Sequence, residues 1–418
     1  MTLQNRYSGN NRKRWLSASL AVCILALVLP VVVSSHEPIT TNVRFNKEII
    51  RILEQKCLAC HSAGGIKADI SLSTFEEARP WAKAIKEEVL EKRMPPYQTV
   101  KGFGLFHSDY GLSQRETDLI VSWVEGGAPK GDEKDLPTRA SSDQKEWRLG
   151  KPDLILKAIQ PASTGNKPSG PSCQVVPTGL TSDRWISGLE FQPGNPAVVE
   201  RAEFRIVANG DGSTGSTCTS KSRGDLLGSW VPGEMPFRYP SDVARMLPEG
   251  ARIEIDVEYA NADGAARGES KLALYFTGSE RPRQLNIVAL RGNNIEVPAN
   301  NSRLRVSSQF QIATDAEVIG VRPHLFPYAQ TVEVRAVRPD GSYQVLIWSR
   351  DRKLDWEPTF QLRKGVPVAK GGRIEVIAYL DNSTSNSRLE EPPRAFSFNS
   401  TLCDVMLAST APNKLTSK

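Results

Sequence analysis

The chain is poor in histidine, which limits the metal chemistry that its side chains can support. Only four histidines occur among the 418 residues, and residues 147–418 contain one of them, His324. A copper site built from protein side chains needs several imidazole or sulfur ligands that converge on the metal. Copper is therefore not expected as a cofactor. One weak thiolate site made from His324, Cys403 and Met406 remains as the alternative.

The sequence also lacks a large excess of charge of one sign. The formal net charge is +6, but residues 1–35 hold four basic residues and no acidic one, so the remainder carries 6 − 4 = +2. No basic stripe with interleaved aromatic residues is present, and we expect no nucleic-acid partner. A chain of 418 residues predicts two or three domains.

A long apolar run occurs once, between Trp15 and Val33, directly after a basic segment that ends at Arg14. The small residues Ser34 and Ser35 follow it and offer a cleavage site. Residues 1–35 are thus predicted to be either a cleaved signal peptide or a retained N-terminal membrane anchor. In both cases the rest of the chain is expected to be periplasmic or otherwise extracytoplasmic.

The segment Cys57-Leu58-Ala59-Cys60-His61 has the spacing that is typical of covalent attachment of c-type haem. Two thiols three positions apart can each form a thioether with a haem vinyl group, and the next residue can place an imidazole nitrogen on the iron. Cys57 and Cys60 could instead bind zinc or form a redox disulfide, but His61 and the export signal favour haem. We predict one haem c at Cys57 and Cys60, with His61 as an iron ligand.

A second iron ligand is predicted at Met94, which two prolines, Pro95 and Pro96, follow directly. Prolines restrict the backbone, so the thioether sulfur needs little ordering to reach the iron. Ligation by Met and His raises the haem potential relative to two nitrogen ligands. His107 is the alternative sixth ligand.

Helical signals occupy residues 43–131. Asn46 is predicted to cap a first helix. Thr74–Glu77 and Ser113–Glu116 are capping-box patterns that predict two further helix starts. Residues 43–131 are therefore predicted to form three short helices.

These features together resemble the small class I cytochromes c, especially the bacterial form with a Met-Pro-Pro ligand loop. The resemblance implies a small all-α cytochrome c domain over residues 43–131. It also implies that Cys57 and Cys60 carry the haem and that His61 and Met94 ligate its iron. The polar, charged residues 132–147 are expected to form a linker.

Short runs of alternating apolar and polar residues follow this linker, as is typical of strands. Arg252–Tyr259 alternates in this way, and Thr331–Val337 and Tyr343–Ser349 are predicted to form a hairpin around Pro339–Ser342. The region is therefore expected to be all-β.

An internal repeat divides this all-β region. Gly250–Ile255 recurs as Gly371–Val376, and the two segments begin 121 residues apart. Two β-sandwiches are therefore predicted, over residues 148–298 and 299–410, with a tail at 411–418.

Several segments of residues 147–408 resemble landmarks of the copper type II, ascorbate-dependent monooxygenases, the family of peptidylglycine hydroxylating monooxygenase. These segments are Lys151–Leu154, Pro177–Leu180, Arg184–Trp185, Phe191–Gly194, Ser229–Gly233 and Pro323–His324. Bacterial relatives of this family occur fused behind a cytochrome c domain. The resemblance implies a multidomain protein in which two jelly-roll-like sandwiches follow the haem domain.

The copper ligands of that family do not carry over to this chain. Glu200 and Arg201 stand where the family has a His-His pair. His324 matches the first position of the family's His-x-His, but Phe326 stands at the second, and Leu402 replaces the late Met. The family's two sites need five histidines, which the whole chain does not contain. The resemblance therefore implies a scaffold that has lost its copper sites.

Three cysteines remain outside the apolar run and the haem motif: Cys173, Cys218 and Cys403. An exported protein permits disulfides. A Cys173–Cys218 pair is favoured, and the other two pairings stay open.

The function expected from these features is one-electron transfer by an exported c-type cytochrome. Its β region would dock a redox-protein donor or acceptor, or hold the chain in a larger membrane-associated assembly. The first alternative is a copper-dependent monooxygenase that receives electrons from its own haem domain. The second is a redox-linked binding module.

Overall fold

The structure is a computed structural model. It describes residues 40–96, 99–108, 110–138, 147–159, 172–207, 224–260, 268–279, 282–324, 327–350, 356–389 and 391–409. The predicted signal or anchor segment (1–35), the predicted tail (411–418) and Cys218 lie outside these residues. Across the described ranges, every helix is too short or too polar to cross a membrane.

Short helices occupy the N-terminal part of the described chain. The α-helices are α1 (Ile50–Lys56), α2 (Phe75–Ala78), α3 (Ala82–Leu90) and α4 (Gln114–Glu125), with a π-helical turn at Phe45–Ile49 and 3-10 turns at Ala68–Ile70, Arg79–Trp81 and Glu133–Asp135. Buried apolar side chains from these elements form one cluster, in which Leu53 and Trp123 are fully buried. Cys57 packs against the same cluster.

Both predicted capping boxes are confirmed. At the start of α2, Glu77 N donates to Thr74 Oγ1 (3.2 Å) and Thr74 N donates to Glu77 Oε2 (3.0 Å). Ser113 and Glu116 make the same reciprocal pair at the start of α4. Each box satisfies backbone N–H groups that the first helical turn leaves without partners.

The predicted cap at Asn46 is wrong, because this side chain has a different partner. Asn46 is buried within the π-helical turn, and its Nδ2 donates to the carbonyl oxygens of Gly131 (3.3 Å) and Asp132 (3.1 Å). Asn46 therefore holds the segment after α4 against the first helical turn.

The remaining described chain is built from strands. The first half contains β1 (Leu154–Ile159), β2 (Ser172–Pro177), β3 (Arg184–Gln192), β4 (Val199–Val207), β5 (Asp225–Trp230), β6 (Phe237–Arg238), β7 (Val243–Leu247), β8 (Arg252–Tyr259) and β9 (Glu269–Phe276). The second half contains β10 (Arg283–Val297), β11 (Asn301–Gln311), β12 (Ala316–Pro323), β13 (Ala329–Val337), β14 (Tyr343–Arg350), β15 (Phe360–Val368), β16 (Arg373–Asn382) and β17 (Phe396–Ser409).

The two halves repeat one strand arrangement. In the first half, the order β1-β9-β3-β7 faces the order β2-β8-β4-β5; in the second, β10-β17-β12-β15 faces β11-β16-β13-β14. The repeated segments of the sequence enter β8 and β16, which are the second strands of the two matching four-stranded sheets. The predicted hairpin is also confirmed, since β13 and β14 pair antiparallel from Thr331↔Arg350 to Val337↔Tyr343.

The halves share one continuous sheet. β7 and β10 pair in parallel at Val243↔Arg283 and Ala244↔Gln284. This pairing joins one four-stranded order from each half, and β6, which pairs with β3, completes a nine-stranded sheet. Side chains of the second half, such as Met406 and Ala408, belong to the apolar core of the first half. The two sandwiches therefore share a sheet and part of a core, and they are not separate units joined only by a linker.

The predicted fold class is wrong. It expected a small all-α cytochrome c domain followed by an all-β region of two jelly-roll-like sandwiches. Strands account for 46% of the structure and helical segments for 15%. The α-helices are only four to twelve residues long, and the described ranges show no small all-α domain.

The fold-class prediction fails because the helices do not form a separate unit. The chain between α3 and α4 leaves them and pairs with strands of the β-rich part. We call residues 99–108 and 110–112 the arm. Within it, Thr99 pairs with Ser349 on β14, and Phe106 pairs with Leu362 on β15. The Phe106 ring is buried in the core of the second sandwich, 5.3 Å from the ring of Phe360. Helical periodicity in the sequence does not reveal this insertion, because the arm itself is not periodic.

Candidate functional site

The segment Cys57–His61 folds into a tight turn directly after α1. The N–H groups of Cys60 and His61 both donate to the carbonyl oxygen of Cys57, at 3.1 and 2.9 Å. Lys67 N donates to the carbonyl oxygen of Cys60 (2.9 Å), and a Cβ on Gly65 would clash with that same carbonyl. The turn is thus fixed by its own backbone and by the chain that follows it.

The His61 imidazole has a defined orientation. Its Nδ1 lies 3.0 Å from the carbonyl oxygen of Ile70, and His61 O accepts from Leu72 N (2.9 Å). A carbonyl oxygen can only accept, so Nδ1 carries the proton of the neutral ring and Nε2 keeps its lone pair. Metal-bound histidines are commonly oriented in this way by a backbone carbonyl.

Cys57 and Cys60 carry free thiols and are both half-buried. Burial, together with the neighbouring Cys60 thiol, raises the pKa of Cys57 to about 12, and burial also raises the pKa of Cys60. Thiols of redox-active disulfides and of zinc sites have lowered pKa values and react or bind as thiolates. The environment of this pair therefore does not favour either of those two uses.

The residues present fit a covalently attached haem. In such an attachment the two sulfurs bond to the edge of the porphyrin, whereas the imidazole reaches the iron at its centre. Among the described residues, no group of three or more His, Cys, Asp or Glu side chains converges as a metal site. Attachment would use the two free thiols and leave Nε2 of His61 to reach the iron.

Met94 follows the C-terminal end of α3 and is half-buried, in a segment held by one side chain. The Arg93 guanidinium donates to both carboxylate oxygens of Glu88, at 2.7 Å each, and also pairs with Glu91. The N–H groups of Arg93 and Met94 both donate to Glu88 O, at 2.8 and 3.2 Å. A bidentate pair of this kind fixes direction as well as distance, so the start of the Met94 loop is anchored to α3.

His107, the alternative ligand, lies on the arm. Its backbone N–H donates to Gln361 O on β15 (2.9 Å), and its side chain is exposed. Met94, by contrast, lies five residues after Val89, which belongs to the same buried cluster that Cys57 contacts. Met94 as the sixth ligand, with His107 as the alternative, therefore stays a prediction.

A second group of polar residues is buried where the two sandwiches meet. His324 donates from Nε2 to Asp404 (2.8 Å) and from Nδ1 to Glu357 (3.0 Å). Arg322 donates to Glu203 on β4 (2.9 Å) and is 3.9 Å from Asp404 on β17. Arg205 donates to the second Glu203 oxygen at 2.9 Å. We call these six residues the interface charge cluster: Glu203, Arg205, Arg322, His324, Glu357 and Asp404.

The contacts of His324 in this cluster are those of a charged structural residue and not of a metal ligand. Burial opposes its charge, but the hydrogen bonds to Asp404 and Glu357 raise the pKa of His324 to about 9. The imidazole is therefore protonated at neutral pH, and both nitrogens are engaged. Cys403 is buried beside it with a pKa well above the usual value, because burial disfavours the thiolate. A thiolate site made from His324, Cys403 and Met406 has no support in this geometry.

We expect His324 to stabilise the fold in a pH-dependent way. Its folded-state pKa lies above its ordinary value of 6.5, so its contribution is fully present below about pH 6.5 and is lost as the pH rises through about 9. The two values differ by roughly 2.5 units, which corresponds to about 3 kcal/mol. Urea unfolding at pH 6 and at pH 9.5 should show this loss in the wild type and a smaller loss in His324→Gln.

His107→Gln is the matched control, because it removes an exposed imidazole. Equal pH dependence of unfolding in the wild type and in His324→Gln would show that His324 is not charged in the folded protein.

The two described cysteines outside the haem motif differ in state. Cys173 is disulfide-bonded, whereas Cys403 is a free, buried thiol. The favoured partner, Cys218, lies outside the described residues.

No protein-family model matches the chain, and no curated protein matches it either. Similar solved structures include the infectious bursal disease virus Gx strain, at 8% identity over 62% of this chain and 72% of that one, with a TM-score of 0.20. Allantoicase from Saccharomyces cerevisiae is 11% identical over 58% of this chain and 79% of its own (TM-score 0.20). Paenibacillus xanthan lyase is 10% identical over 62% and 25% (TM-score 0.17). At these TM-scores the similarities carry no argument about fold or function.

Glu234, a polar residue near the haem motif, was not among the predicted site residues. It lies in the turn after β5, and its carboxylate accepts from Val231 N (3.2 Å) and from Thr359 N (2.9 Å). Nothing in the local sequence distinguishes it from a solvent-exposed turn glutamate. Only the packing of the second sandwich against this turn makes it half-buried.

Proposed function

We propose that this protein is an exported one-electron carrier that holds one haem covalently through Cys57 and Cys60. The observation that carries the proposal is the His61 ring, whose Nδ1 is fixed by Ile70 O and whose Nε2 is left with a lone pair. Free thiols flank the same turn. The disulfide at Cys173 supports an extracytoplasmic location, since such bonds persist in oxidising compartments.

The proposed iron ligands are His61 and Met94. When bound, the haem supplies a one-electron couple. The Ile70 carbonyl keeps His61 in one tautomer and makes Nε2 a better donor. The Glu88–Arg93 pair holds the segment that presents Met94. Ligands that are held in place in both redox states need little rearrangement, which suits rapid electron exchange with a partner protein.

The proposed role of the β-rich part is to dock that partner or to act as a scaffold. The arm and the turn after β5, where Gly233 lies close to Ala59, hold the haem-motif segment against it. The alternative of a copper monooxygenase is not favoured by any contact of His324, because both of its nitrogens are bonded to carboxylates.

The test is the metal and haem content of the full-length protein, produced with haem maturation machinery and exposed to copper before desalting. We expect one iron per chain, haem that stays with the polypeptide after denaturation, and no tightly held copper. Absence of covalent haem would refute the proposal. One or more retained copper ions would bring the monooxygenase alternative to the front.

A further inference from the structure

The arm is held by the two outermost strands of the second sandwich. β14 and β15 are the last strands in the orders of its two sheets. Val100 N donates to Trp348 O on β14 (2.7 Å), and His107 N donates to Gln361 O on β15 (2.9 Å). Edge strands present backbone groups that can pair with another segment of chain. The arm therefore supplies partners to both edges and is bound to them by backbone hydrogen bonds.

Side chains of the arm also fit closely against these strands. The rings of Phe103 and Trp348 meet edge to face, with their centroids 5.3 Å apart, and Phe106 is buried in the core of the sandwich. Gly104 lies between the two phenylalanines and has a φ of +80°. A Cβ on Gly104 would overlap the carbonyl oxygen of Leu346 on β14. The arm lies this close to β14 because residue 104 has no side chain.

The segment that contains Met94 leads directly into this arm. Met94 N donates to Glu88 O in the last turn of α3 (3.2 Å), which holds the start of the segment. Five residues later, Thr99 pairs with Ser349 on β14. Five residues span at most about 18 Å when fully extended, and two of the intervening residues are prolines with a restricted backbone. Met94 therefore lies on a short connection between α3 and β14.

The segment Cys57–His61 is also placed against the β-rich part. A Cβ built on Gly233, in the turn after β5, would lie 3.3 Å from the Cβ of Ala59. Two residues later in that turn, Met235 N donates to the hydroxyl oxygen of Tyr110 on the arm (3.3 Å). The attachment turn and the arm are thus both in contact with one turn of the first sandwich.

We propose that Phe103 and Gly104 are positioning residues for the proposed iron ligand Met94, and that they act by holding the arm on β14. The inference rests on the proposed electron-carrier function. With the arm in place, the connection between α3 and β14 has few conformations, so little conformational entropy is lost when the thioether binds the iron. When the arm leaves β14, the connection lengthens toward Phe106 and this entropy loss increases. The second sandwich thus sets how firmly the sixth ligand is held.

The experiment measures how easily imidazole displaces the sixth ligand in the matured, full-length ferric protein. An imidazole nitrogen donates its lone pair to the iron in place of the Met94 sulfur, without a change in oxidation state, and the absorbance spectrum reports the exchange. Because the thioether competes with imidazole, a looser thioether gives tighter apparent binding of imidazole. We expect Gly104→Ala to lower the apparent Kd for imidazole on the order of tenfold, since the new Cβ forces the arm away from β14.

Gly102→Ala is the matched control. Gly102 also has a positive φ (+94°), so both substitutions strain the backbone. A Cβ on Gly102, unlike one on Gly104, would have no neighbour within 4 Å among the described residues. Its imidazole affinity should equal that of the wild type. Phe103→Ala removes the ring that packs on Trp348 and should shift the affinity in the same direction as Gly104→Ala, which gives an independent answer if Gly104→Ala does not fold.

Met94→Ala distinguishes positioning of the ligand from general loosening of the fold. In that background the thioether is absent, so imidazole should bind most tightly and Gly104→Ala should add no further effect. An equal effect of Gly104→Ala with and without Met94 would overturn the proposal, because the arm would then act by another route. Wild-type imidazole affinity in both Gly104→Ala and Phe103→Ala would overturn it as well.

The outcomes also separate this inference from the proposed function. A protein without covalent haem refutes the electron-carrier function itself. Covalent haem whose imidazole affinity is the same in the wild type and in Met94→Ala removes Met94 as the ligand and overturns the inference with it. Covalent haem that responds to Met94→Ala but to neither arm variant leaves the electron carrier standing and refutes only the positioning role.

Discussion

Replacing Cys57 and Cys60 together by serine is expected to abolish covalent haem. Serine keeps the size and the turn but cannot form a thioether, and both sulfurs of the proposed attachment are removed. Cys57 contacts the buried cluster of the helices, yet Cys-to-Ser changes little volume there. The polypeptide should therefore still fold, while a haem stain of the denatured protein loses its signal completely.

The control for this double substitution is Cys403→Ser, which removes the free, buried thiol on β17. That variant should retain full covalent haem, although it introduces a hydroxyl into the core. Covalently stained haem in the Cys57→Ser/Cys60→Ser protein would contradict both the attachment and the electron-carrier proposal. Single substitutions should leave one thioether and an intermediate yield.

Substitution of Met94 by alanine is expected to keep the haem attached and to lower its potential. A thioether ligand raises the haem potential, because Met/His ligation favours the reduced iron relative to two nitrogen donors. Axial ligands set haem potentials over a range of about 0.8 V. We expect a fall on the order of 100 mV in Met94→Ala, together with a changed sixth-ligand spectrum, measured by redox titration and absorbance spectroscopy.

Met246→Ala is the matched control, since Met246 lies on β7 and is exposed. It should leave both the potential and the spectrum unchanged. An unchanged potential and spectrum in Met94→Ala would assign the sixth ligand elsewhere, and His107→Ala would then be the next variant. A partial effect in Arg93→Ala, with recovery in Arg93→Lys, would identify Arg93 as a positioning residue for Met94.

Local features of the chain could be predicted well from the sequence. The two capping boxes need only residues three positions apart, and both form. The alternating segment at Arg252–Tyr259 becomes β8, and the repeated segments enter matching strands, β8 and β16. These predictions succeed because backbone capping and strand alternation depend on neighbours in sequence.

The candidate site was predictable only in part. The haem-motif spacing identifies Cys57, Cys60 and His61 as candidates, and prolines point to Met94. The partners that orient them, such as Ile70 O for His61 and Glu88 for Arg93, have no signature of their own. Glu234 has no sequence signal either, because its carboxylate accepts from Thr359 N, which is 125 residues away in the chain.

The sequence by itself therefore determined the Cys57–His61 motif, two of the helix starts and the strand-forming segments with their internal repeat. Tertiary structure decided how these pieces combine: the parallel pairing of β7 with β10, the insertion of the arm beside β14 and β15, and the charge on His324. Each of these depends on residues brought together from distant parts of the chain, as with His324 and Asp404, which are 80 positions apart. Periodicity and spacing indicate which secondary structure a segment prefers. The burial and charge pairing of its side chains depend on the distant segments that pack against it.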